Sequence, residues 1–564
     1  MNTSRTSALA MTFLAVAASS CTPTISNESD PSAAPRVEAG RNAHGTRAAV
    51  TAGHPLAATA GLEVLQAGGN AMDAAITMAT VLAVARPHMN GLGGDMFLLY
   101  YDAATNRVYA LNGSGRAGSA RTLDDLKHEG LEEIPSTGPL SVSVPGAVGG
   151  WAEALARFGS ISWANALEPA VQLARDGLPV SERLSLDISG QEAKLRRDPE
   201  ATRVFLPNGA PPSPGDTLRR PDLAASLERL QTHGPDELYR GETGRRVVEF
   251  LEAHNGLLQI EDLNAYQAEW TEPIRTTYHG LEVLAFPPNT QGVTLLEELK
   301  LLSHFNLAAL GHNSSDYLHV LAEAIRIAFV DRDSHVADPV AMQVTVEALL
   351  DDDRIAELAR TIDPMGTAFL EPVIEREDHP NTVYLIATDQ QGNVVSMIQS
   401  LFASFGSGLV VPKTGIVLQN RGSLFTLQEN HPNVFAPGRR PFHTLCPVLV
   451  LQDGKPWLAF GTPGGDGQTQ THIQVLNNIA LFGMTPQEAV DAPRLRRYAN
   501  GSLSIEDRVP ANARDALGAR GYDVSAKAGW TAEFGGAQAV LIDPNTGSKW
   551  AGADRRREGW ALAY

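Results

Sequence analysis

Apolar residues near the start of the chain recur at helical spacing. The stretch "HPLAATAGLEVLQAGG", beginning at His54, carries leucines on one helical face and ends in Gly68-Gly69, a pair typical of a helix C-terminus. The next stretch, "NAMDAAITMATVLAVARP", begins with an asparagine suited to capping and ends at Pro87. Because its apolar residues cover nearly the whole helical surface, this second segment predicts a buried helix.

The pattern then changes to strands and back to helices. "MFLLYYDAATNRVYALNGSG" predicts two strands around an asparagine-containing turn. From about residue 151 to residue 370 the chain is mostly helical, with the clearest amphipathic segments in "PGAVGGWAEALARFG" and "YLHVLAEAIRIAFVDRD". Within that region, "PNGAPPSPGD" is typical of a loop because of its proline and glycine content.

After Asn381 the strand pattern returns. "TVYLIATDQQGNVVSMIQS" predicts a strand, a glycine-containing turn and a second strand. "CPVLVLQDGKPWLAFGT" predicts a hairpin that turns at Asp453-Gly454, and "THIQVLNNIALFG" and "TPQEAVDAPRLRR" supply helices. Strands and helices that are segregated in this way favour a layered α+β sandwich over a doubly wound parallel sheet.

Composition and charge narrow the class of protein. With 564 residues, of which 43% are hydrophobic, the chain can build a large core. A formal net charge of −19 argues against nucleic acid or an anionic membrane surface as a partner. Beyond the N-terminus no run of about 18 apolar residues occurs, so no internal membrane span is expected.

The N-terminus has the pattern of an export signal. A basic "MNTSR", a short apolar "ALAMTFLAVAA" and small residues before Cys21 predict a lipoprotein-type signal peptide over residues 1–21, with Cys21 as the lipidated residue. Ala18 stands where leucine is usual, and ordinary cleavage without lipidation is the alternative. Residues 22–46 predict a flexible tether. We therefore expect an exported, periplasmic protein held to the membrane by a lipid anchor.

Signatures of several common active sites are missing from the sequence. The chain has no GxxxxGK[ST] phosphate loop, no GxSxG nucleophile motif, no HExxH and no CxxC. "GLGGD" at 91–95 precedes a strand rather than a helix, which excludes the dinucleotide-binding motif. Cys446 is expected to be a buried apolar residue. We therefore expect no metal and no cofactor, and a nucleophile that brings its own base.

Thr382 stands where a charged loop meets an apolar strand. Threonine is common at strand starts, so a purely structural role is one interpretation. If the Asn381–Thr382 bond is cut, however, the new α-amino group, with an unperturbed pKa of about 7.7–8.0, can accept the proton of the threonine hydroxyl. One residue then supplies both nucleophile and base, and the strand holds the new chain end rigidly.

A site that cleaves amides also needs donors for the developing oxyanion. "FGTPGGDGQTQTH" offers them, because the N–H groups of Gly464 and Gly465 can approach a ligand without side-chain interference. The alternative is an ordinary turn after a strand.

Several blocks resemble the γ-glutamyltransferase family in order and spacing. They include "GLEVLQAGGNAMDAAITMATVLAVARPHMNGLGGDMFLLYYD", "SVSVPGAVGGWAEALARFG", "PAVQLARDGLPV", "LAEAIRIAFVDR", "NTVYLIATDQQGNVVSMIQS" and "FGTPGG", and the resemblance covers roughly residues 47 to 560. It implies a four-layer αββα N-terminal-nucleophile hydrolase sandwich with an additional helical portion in the large chain. It also implies a precursor that cuts itself into a large chain, residues 47–381, and a small chain, residues 382–564. The two chains would stay together as a heterodimer or as a dimer of heterodimers.

The resemblance assigns roles to individual residues. The Thr382 hydroxyl would attack the Asn381 carbonyl, water would hydrolyse the ester, and the same hydroxyl would later attack a substrate amide. Ser400 falls where the family has a second hydroxyl residue that supports the amino group of the nucleophile. Gly464 and Gly465 fall on the glycines of the oxyanion hole.

The expected γ-glutamyl pocket differs from the family pattern in two charged positions. The arginine that holds the substrate α-carboxylate lies in an "RETAP"-like segment, whereas "GSGRAG" here places Ser114 in register and Arg116 two residues later. The aspartate that binds the α-ammonium lies in an "NNQMDDF"-like segment, whereas "QNRGSLF" has Leu424 at that position and Arg421 in place of a glutamine. Losing a buried charged partner costs about 2–5 kcal/mol, so γ-glutamyl recognition should be much weaker.

Three further pocket positions also depart from the family. Phe402 replaces the asparagine that follows the second hydroxyl residue, and the serine pair that touches the carboxylate becomes His443-Thr444 in "RPFHTLCP". His443 is equally suited to packing within the protein and to contacting a substrate.

An arginine pair would suit an acyl group that bears a carboxylate but no amine, such as a dicarboxylic half-amide, a glutaryl side chain or oxamate. Arg116 and Arg421 form the expected pair, although either arginine could instead pair with a carboxylate of the protein. We therefore predict a self-processing amidohydrolase or acyltransferase that acts on a small-molecule amide and favours hydrolysis. The alternatives are a true γ-glutamyltransferase or glutathione hydrolase, and an inactive binding lipoprotein that kept the fold.

Overall fold

The computed structural model describes residues 38–369 and 380–564. The predicted signal peptide, Cys21 and residues 22–37 of the predicted tether lie outside the described residues. Within the described ranges, no helix combines the length and the apolar character needed to cross a membrane.

The strands are short to medium in length and are spread over the whole described chain. In chain order they are β1 (Glu38–Gly40), β2 (Asn42–Gly45), β3 (Ala49–Ala52), β4 (Asp95–Asp102), β5 (Arg107–Gly113), β6 (Leu178–Pro179), β7 (Thr217–Leu218), β8 (Glu269–Thr271), β9 (Ile274–Tyr278), β10 (Leu281–Ala285), β11 (Pro380–Thr388), β12 (Val394–Ala403), β13 (Val410–Val411), β14 (Ile416–Val417), β15 (Val448–Gln452), β16 (Lys455–Gly461), β17 (Leu495–Arg497), β18 (Leu503–Glu506), β19 (Val524–Lys527), β20 (Gln538–Ile542), β21 (Lys549–Ala553) and β22 (Trp560–Ala563).

The helices lie between β3 and β4, between β5 and β11, and after β16. In chain order they are α1 (Pro55–Gln66), α2 (Ala71–Ala85), α3 (Leu123–His128), α4 (Ala147–Phe158), α5 (Trp163–Asp176), α6 (Glu182–Ser189), α7 (Glu192–Leu195), α8 (Pro199–Phe205), α9 (Pro221–His233), α10 (Asp236–Tyr239), α11 (Glu242–Ala253), α12 (Ile260–Asn264), α13 (Gly292–Leu302), α14 (Leu307–Leu310), α15 (Ser315–His335), α16 (Val346–Leu349), α17 (Asp352–Ala359), α18 (Gly467–Ala480), α19 (Pro486–Asp491) and α20 (Ala511–Ala519).

Two antiparallel sheets form the centre of the fold. In the described part of the chain, the first sheet has the strand order β1-β22-β3-β11-β12-β4-β5-β8 and the second has the order β2-β21-β20-β16-β15-β10-β9. Both sheets therefore combine strands from before and after residue 381, so neither half of the chain can complete a sheet alone.

The alternation of side chains along the strands creates four layers. Along β11, Val383 and Leu385 belong to the apolar cluster shared with α1, α2 and α4, whereas Tyr384 and Ile386 belong to the cluster between the two sheets. The outer face of the second sheet packs against α13, α15 and α18. The order helix, sheet, sheet, helix confirms the predicted four-layer αββα sandwich.

The main elements predicted from the hydrophobic pattern are confirmed. The first helical pair is α1 and α2, and every residue of α2 is buried. The side chain of Asn70 accepts hydrogen bonds from two backbone N–H groups at the start of α2, as its capping position predicts. The hairpin of β15 and β16 turns at Asp453 and Gly454, which both have positive φ, at 51° and 76°.

The predicted boundary of the tether needs a correction. Residues 38–45, which composition assigns to the tether, form β1 and β2 and pair with β22 and β21 at the C-terminal end of the chain. Backbone hydrogen bonds to distant strands hold this segment, and its polar composition carries no sign of those partners. The folded unit therefore begins before residue 47.

Candidate active site

Thr382 lies at the start of the regular part of β11, immediately after a β-bulge between Asn381 and Thr382. Thr382 is opposite Ser400 on β12, and Ser400 is opposite Asp95 on β4. By strand alternation these three side chains share the face of Tyr384, which points into the layer between the two sheets. Register thus brings together three residues that are far apart in sequence.

A chain of hydroxyl groups connects Thr382 to the peptide bond before it. Thr382 Oγ1 donates a hydrogen bond to Ser400 Oγ at 3.1 Å, and Ser400 Oγ donates to the Asn381 carbonyl oxygen at 2.8 Å. The backbone N–H of Phe402 donates to Ser400 Oγ at 2.7 Å and fixes its position. Thr382 and Ser400 are each only 1% exposed, so water competes little for these contacts. The arrangement polarises the carbonyl that a nucleophile at Thr382 would attack.

The glycine loop after β16 has the backbone conformation that the sequence suggested. Gly464 and Gly465 have φ values of 143° and 56°, which residues with side chains rarely adopt. The Gln291 side chain donates to the Gly465 carbonyl oxygen at 2.9 Å and to the Thr444 carbonyl oxygen at 2.6 Å. Gln291 therefore fixes the glycine loop against the segment that carries His443 and Thr444.

Arg421 is fully buried close to the hydroxyl chain. Its Nη1 donates to Thr444 Oγ1 at 3.1 Å, and its guanidinium lies 4.4 Å from the centre of the Phe402 ring. Phe402 has a φ of +76°, an uncommon backbone conformation for a non-glycine residue. The structure therefore brings the predicted residues Arg421, Thr444 and Phe402 together around a buried cation.

Asp95 is a site residue that the sequence analysis missed. One of its carboxylate oxygens accepts hydrogen bonds from the Gly115 N–H and the Gln419 side chain, both at 3.1 Å, and the other lies 3.2 Å from His443 Nε2. Asp95 ends the "GLGGD" motif at the start of β4. An acidic residue immediately before the apolar run at residues 96–101 was the available signal, but its significance depends on the register with Ser400.

Burial controls the charge of this cluster. Burial raises the pKa of Asp95 to about 7, although the Arg421 cation opposes the shift. Burial, and secondly the nearby Arg421 cation, lower the pKa of His443 well below its usual range. His443 is therefore a neutral hydrogen-bonding partner at neutral pH, and Arg421 is a buried cation that acts on both Asp95 and His443.

The structure places the other two predicted pocket residues in contacts with the protein. Arg116 pairs with Glu269 at 3.0 Å, and its side chain is 40% exposed. Ser114 is buried and donates to the Asn112 side chain at 2.6 Å. Arg116 thus has a protein carboxylate as its partner, the alternative that the sequence left open.

Arg557 is a second residue that the sequence analysis missed. Its Nη1 donates to the side-chain oxygen of Asn381 at 2.8 Å, from a position seven residues before the end of the chain. In the sequence it belongs to the charged run "DRRREGW", which is typical of a solvated surface, so no sequence signal marks it. In residues 38–369 and 380–564, no group of three or more His, Cys, Asp or Glu side chains is arranged to hold a metal ion.

The sequence profile of the gamma-glutamyltranspeptidase family matches residues 57–564. The chain belongs to this family. It is 37% identical to the glutathione hydrolase-like YwrD proenzyme of Bacillus subtilis, over 92% of this chain and 98% of that protein. It is 34% identical to the oxamate amidohydrolase proenzyme of Klebsiella pneumoniae, over 92% of this chain and 99% of that protein.

A solved structure gives the same result for the fold. The crystal structure of cephalosporin acylase from Bacillus halodurans superimposes on this chain with a TM-score of 0.87 at 36% sequence identity. The superposition covers 95% of this chain and 99% of the acylase chain. These findings confirm the predicted family and the N-terminal-nucleophile hydrolase fold. The chain is an enzyme of the self-processing amidohydrolase type, and a dedicated γ-glutamyltransferase is not favoured.

Proposed function

We propose that this family member cuts itself between Asn381 and Thr382 and then hydrolyses an amide whose acyl group bears a carboxylate. The observation that carries the proposal is the hydroxyl chain from Thr382 through Ser400 to the Asn381 carbonyl. This chain joins the proposed nucleophile to the carbonyl that it would attack. It lies at a β-bulge, where the backbone leaves the regular ladder and can be cut.

The self-cleavage has two balanced steps. In the first, Thr382 Oγ1 bonds to the Asn381 carbonyl carbon, the peptide C–N bond breaks, and the hydroxyl proton passes to the released Thr382 nitrogen. In the second, water attacks the resulting ester, the Asn381 residue leaves as a carboxylate, and the Thr382 hydroxyl is regenerated. Ser400 stabilises the oxyanion of the first step by donating to the carbonyl oxygen.

In turnover the same hydroxyl attacks the substrate, and the free α-amino group of Thr382 accepts its proton. The amine of the substrate leaves with that proton, and water then hydrolyses the acyl-enzyme. We assign the N–H groups of Gly464 and Gly465 to the oxyanion, because glycine has no side chain that would block a ligand from the loop backbone, and both residues have positive φ values. Hydrolysis is favoured over transfer in this proposal.

Arg421 supports a carboxylate-bearing acyl group. It is a buried cation whose guanidinium can bind a carboxylate through two parallel hydrogen bonds. Leu424, at the position expected to bind an α-ammonium group, lies in an apolar cluster with Phe402 and Phe442 and offers no negative charge. A relative that is an oxamate amidohydrolase is in line with this substrate class. In the proposal, Thr444, His443 and Phe402 shape the same pocket.

The peripheral assignments are also proposals. The sequence predicts Arg116 and Ser114 as pocket residues, whereas their observed contacts with Glu269 and Asn112 support a role in holding loops together. Export and lipidation of Cys21 rest on the sequence pattern alone. The predicted large and small chains, 47–381 and 382–564, follow from the cleavage point, and the proenzyme descriptions of the relatives support such processing.

The proposal is tested by the mass spectrum and the denaturing gel of the purified protein. We expect two fragments from the wild type, the smaller beginning Thr-Val-Tyr-Leu. Thr382→Ala should give a single band of the size of the uncut chain. The same spectrum reports any lipid on Cys21. A wild-type protein that remains uncut would contradict the proposal.

The substrate class is tested on the processed enzyme. Oxamate, a glutaryl anilide and a γ-glutamyl anilide are compared, and we expect the two acyl groups that lack an amine to be hydrolysed at least about tenfold faster. Arg421→Met should remove that preference while leaving self-cleavage in place. Rapid hydrolysis of the γ-glutamyl anilide would instead support a glutathione hydrolase.

A further inference from the structure

The residue before the cleavage point has a charged partner of its own. Arg557 Nη1 donates to Asn381 Oδ1 at 2.8 Å, while Ser400 binds the backbone carbonyl of the same residue. Both ends of Asn381, its side chain and its scissile carbonyl, are thus fixed by hydrogen-bond donors. The side-chain contact is not needed to explain the chemistry at the carbonyl.

Arg557 also contacts the segment at residues 532–535, which packs against the glycine loop. Its Nε donates to the Gly535 carbonyl oxygen at 3.2 Å, and its Nη2 donates to the Ala532 carbonyl oxygen at 3.1 Å. Gly535 packs so closely against the start of the loop that a Cβ atom there would lie 2.7 Å from the Pro463 carbonyl oxygen. Arg557 therefore spans the distance between the scissile residue and the proposed oxyanion loop.

The carboxylates near Arg557 already have other partners. Asp187 pairs with Arg183 at 2.7 Å, and Asp554 pairs with Arg494 at 2.9 Å and with Arg556 at 3.0 Å. Within the part of the chain that the structure describes, the hydrogen bonds of Arg557 all end on neutral oxygens. A guanidinium stays charged at neutral pH, so a cation that is only partly buried faces Asn381.

The chemistry of cleavage indicates what replaces Asn381. Thr382 Oγ1 attacks the Asn381 carbonyl once and substrate carbonyls thereafter, so the group attached to that carbonyl in the precursor occupies the acyl side of the site. We propose that, in addition to Arg421, Arg557 is an acyl-binding residue, which holds the Asn381 side chain during self-cleavage and an acceptor oxygen of the substrate acyl group afterwards. This inference rests on the proposed function.

The length of the asparagine side chain indicates the ligand. From the carbonyl carbon through Cα and Cβ to Cγ, Asn381 has the carbon skeleton of a succinyl group, and its Oδ1 stands where one carboxylate oxygen of that group would be. A carboxylate binds a guanidinium more strongly than an amide does, because both partners are charged. The favoured substrates are therefore N-succinyl amides, four-carbon half-amides with a terminal carboxylate.

The test compares Arg557→Gln with a matched control, Arg555→Gln. Arg555 lies two residues away, is half exposed and pairs with Asp491 at 3.0 Å. Self-cleavage is followed on denaturing gels, and kcat/KM of the processed enzyme is measured with succinyl p-nitroanilide and with butyryl p-nitroanilide, which has the same chain length and no charge.

We expect Arg557→Gln to cut itself at least about tenfold more slowly. After processing, it should lose at least about tenfold in kcat/KM with the succinyl substrate and little with the butyryl substrate, mainly through KM. Arg555→Gln should match the wild type in all three measurements. Equal losses with both substrates, or none with either, would overturn the inference while leaving the proposed function intact.

A second measurement applies if Arg557→Gln remains uncut. Phenylglyoxal, which modifies arginine, is added to the processed wild type and to the uncut Thr382→Ala protein, and the modified residues are mapped by mass spectrometry. We expect Arg557 to react in the processed enzyme, to be protected there by succinamate but not by butyramide, and to be protected in the uncut protein. If the reaction of Arg557 with phenylglyoxal changes neither on cleavage nor on addition of succinamate, the inference is overturned. A wild-type protein that never cuts itself would instead overturn the proposed function.

Discussion

Ser400 makes three hydrogen bonds with a single hydroxyl group. It accepts from Thr382 Oγ1 and from the Phe402 N–H, and it donates to the Asn381 carbonyl oxygen. A hydroxyl group has one donor and two acceptor positions, so this set uses its full capacity. The direction of the bonds follows from that count, because the only donor of Ser400 is directed at the carbonyl.

Replacing this hydroxyl should slow self-cleavage. We expect Ser400→Ala to cut itself about 100-fold more slowly than the wild type, because it loses the donor to the developing oxyanion. Ser400→Thr should restore most of the rate. The measurement is a time course on denaturing gels after expression.

Ser396→Ala is the control for this prediction. Ser396 is buried on the same strand and bonds to the Tyr384 hydroxyl at 2.6 Å, away from the carbonyl. Equal cleavage rates in Ser400→Ala and the wild type would remove Ser400 from the mechanism.

Asp95 should make stability depend on pH. Its pKa is raised from 3.8 to about 7 in the folded protein, so folding favours its protonated form. Stability from this group is fully present below the unfolded pKa and is lost as the pH rises through the folded pKa. The comparison is made in a Thr382→Ala background. As the pH rises from about 4 to about 7, the melting temperature of Asp95→Asn should increase by roughly 5 °C relative to that of its parent, because only the parent carries the carboxyl group that titrates.

Asp102→Asn serves as the matched control for Asp95. Asp102 is half-buried at the opposite end of the same strand and bonds to the local turn through Ala104 and Thr105. A melting difference between Asp95→Asn and its parent that stays constant over this pH range would show that Asp95 is ionised throughout.

At the scale of elements, the site is built where regular structure ends. Thr382 follows a bulge in β11, and Gly464 and Gly465 lie between the end of β16 and the start of α18. Sheet and helix fix the positions of these ends, while the backbone there is free to present N–H groups and a cleavable bond. In the proposed mechanism, the positive φ of Gly465 is therefore a functional requirement as well as a turn conformation.

A side chain at Gly465 should damage catalysis more than folding. Gly465→Ala forces alanine into a left-handed conformation at a cost of about 1–2 kcal/mol, and we expect kcat/KM of the processed enzyme to fall at least about tenfold as the loop shifts. Gly454→Ala is the control, because Gly454 has a φ of 76° in the hairpin turn and open space around it. If both variants lose the same fraction of activity, the loss reflects stability rather than the oxyanion loop.

At the scale of the whole molecule, cleavage should not separate the two chains. In the first sheet, the part of β11 from Thr382 onward, which belongs to the small chain, lies between β3 of the large chain and β12 of the small chain. In the second sheet, β15 of the small chain pairs with β10 of the large chain. The layer between the sheets also takes apolar side chains from both chains. Separation would expose that layer to water.

We therefore expect the two fragments to co-elute in size-exclusion chromatography without denaturant. They should separate only in urea or guanidinium, as shown by gels of each fraction. The uncut Thr382→Ala protein is the control for the elution volume of the folded unit. Fragments that elute separately in plain buffer would contradict the interleaved strand order.

Much of this protein is determined by its sequence. The period of the apolar residues was enough to predict α1, α2, the β11–β12 pair and the β15–β16 hairpin, because a helix and a strand with a buried face each require a different spacing of apolar residues. The junction of a polar loop with a strand made Thr382 a candidate, and the glycines after β16 made the loop at 464–465 another, but their roles were predicted from the resemblance to the family. Each of these signals lies within a short stretch of sequence and can be recognised without knowing which distant residues it contacts.

Only the tertiary structure decided which distant groups meet at the site. Asp95 came to lie opposite Ser400 through the register of β4 with β12, Arg557 reached Asn381 from the C-terminal end of the chain, and Arg116 took a protein carboxylate as its partner. Residues 38–45 joined the sheets for the same reason, through strands at the other end of the chain. Strand pairing between distant segments decides these contacts, and burial decides the charge of Asp95 and His443. Neither can be read from a short stretch of sequence.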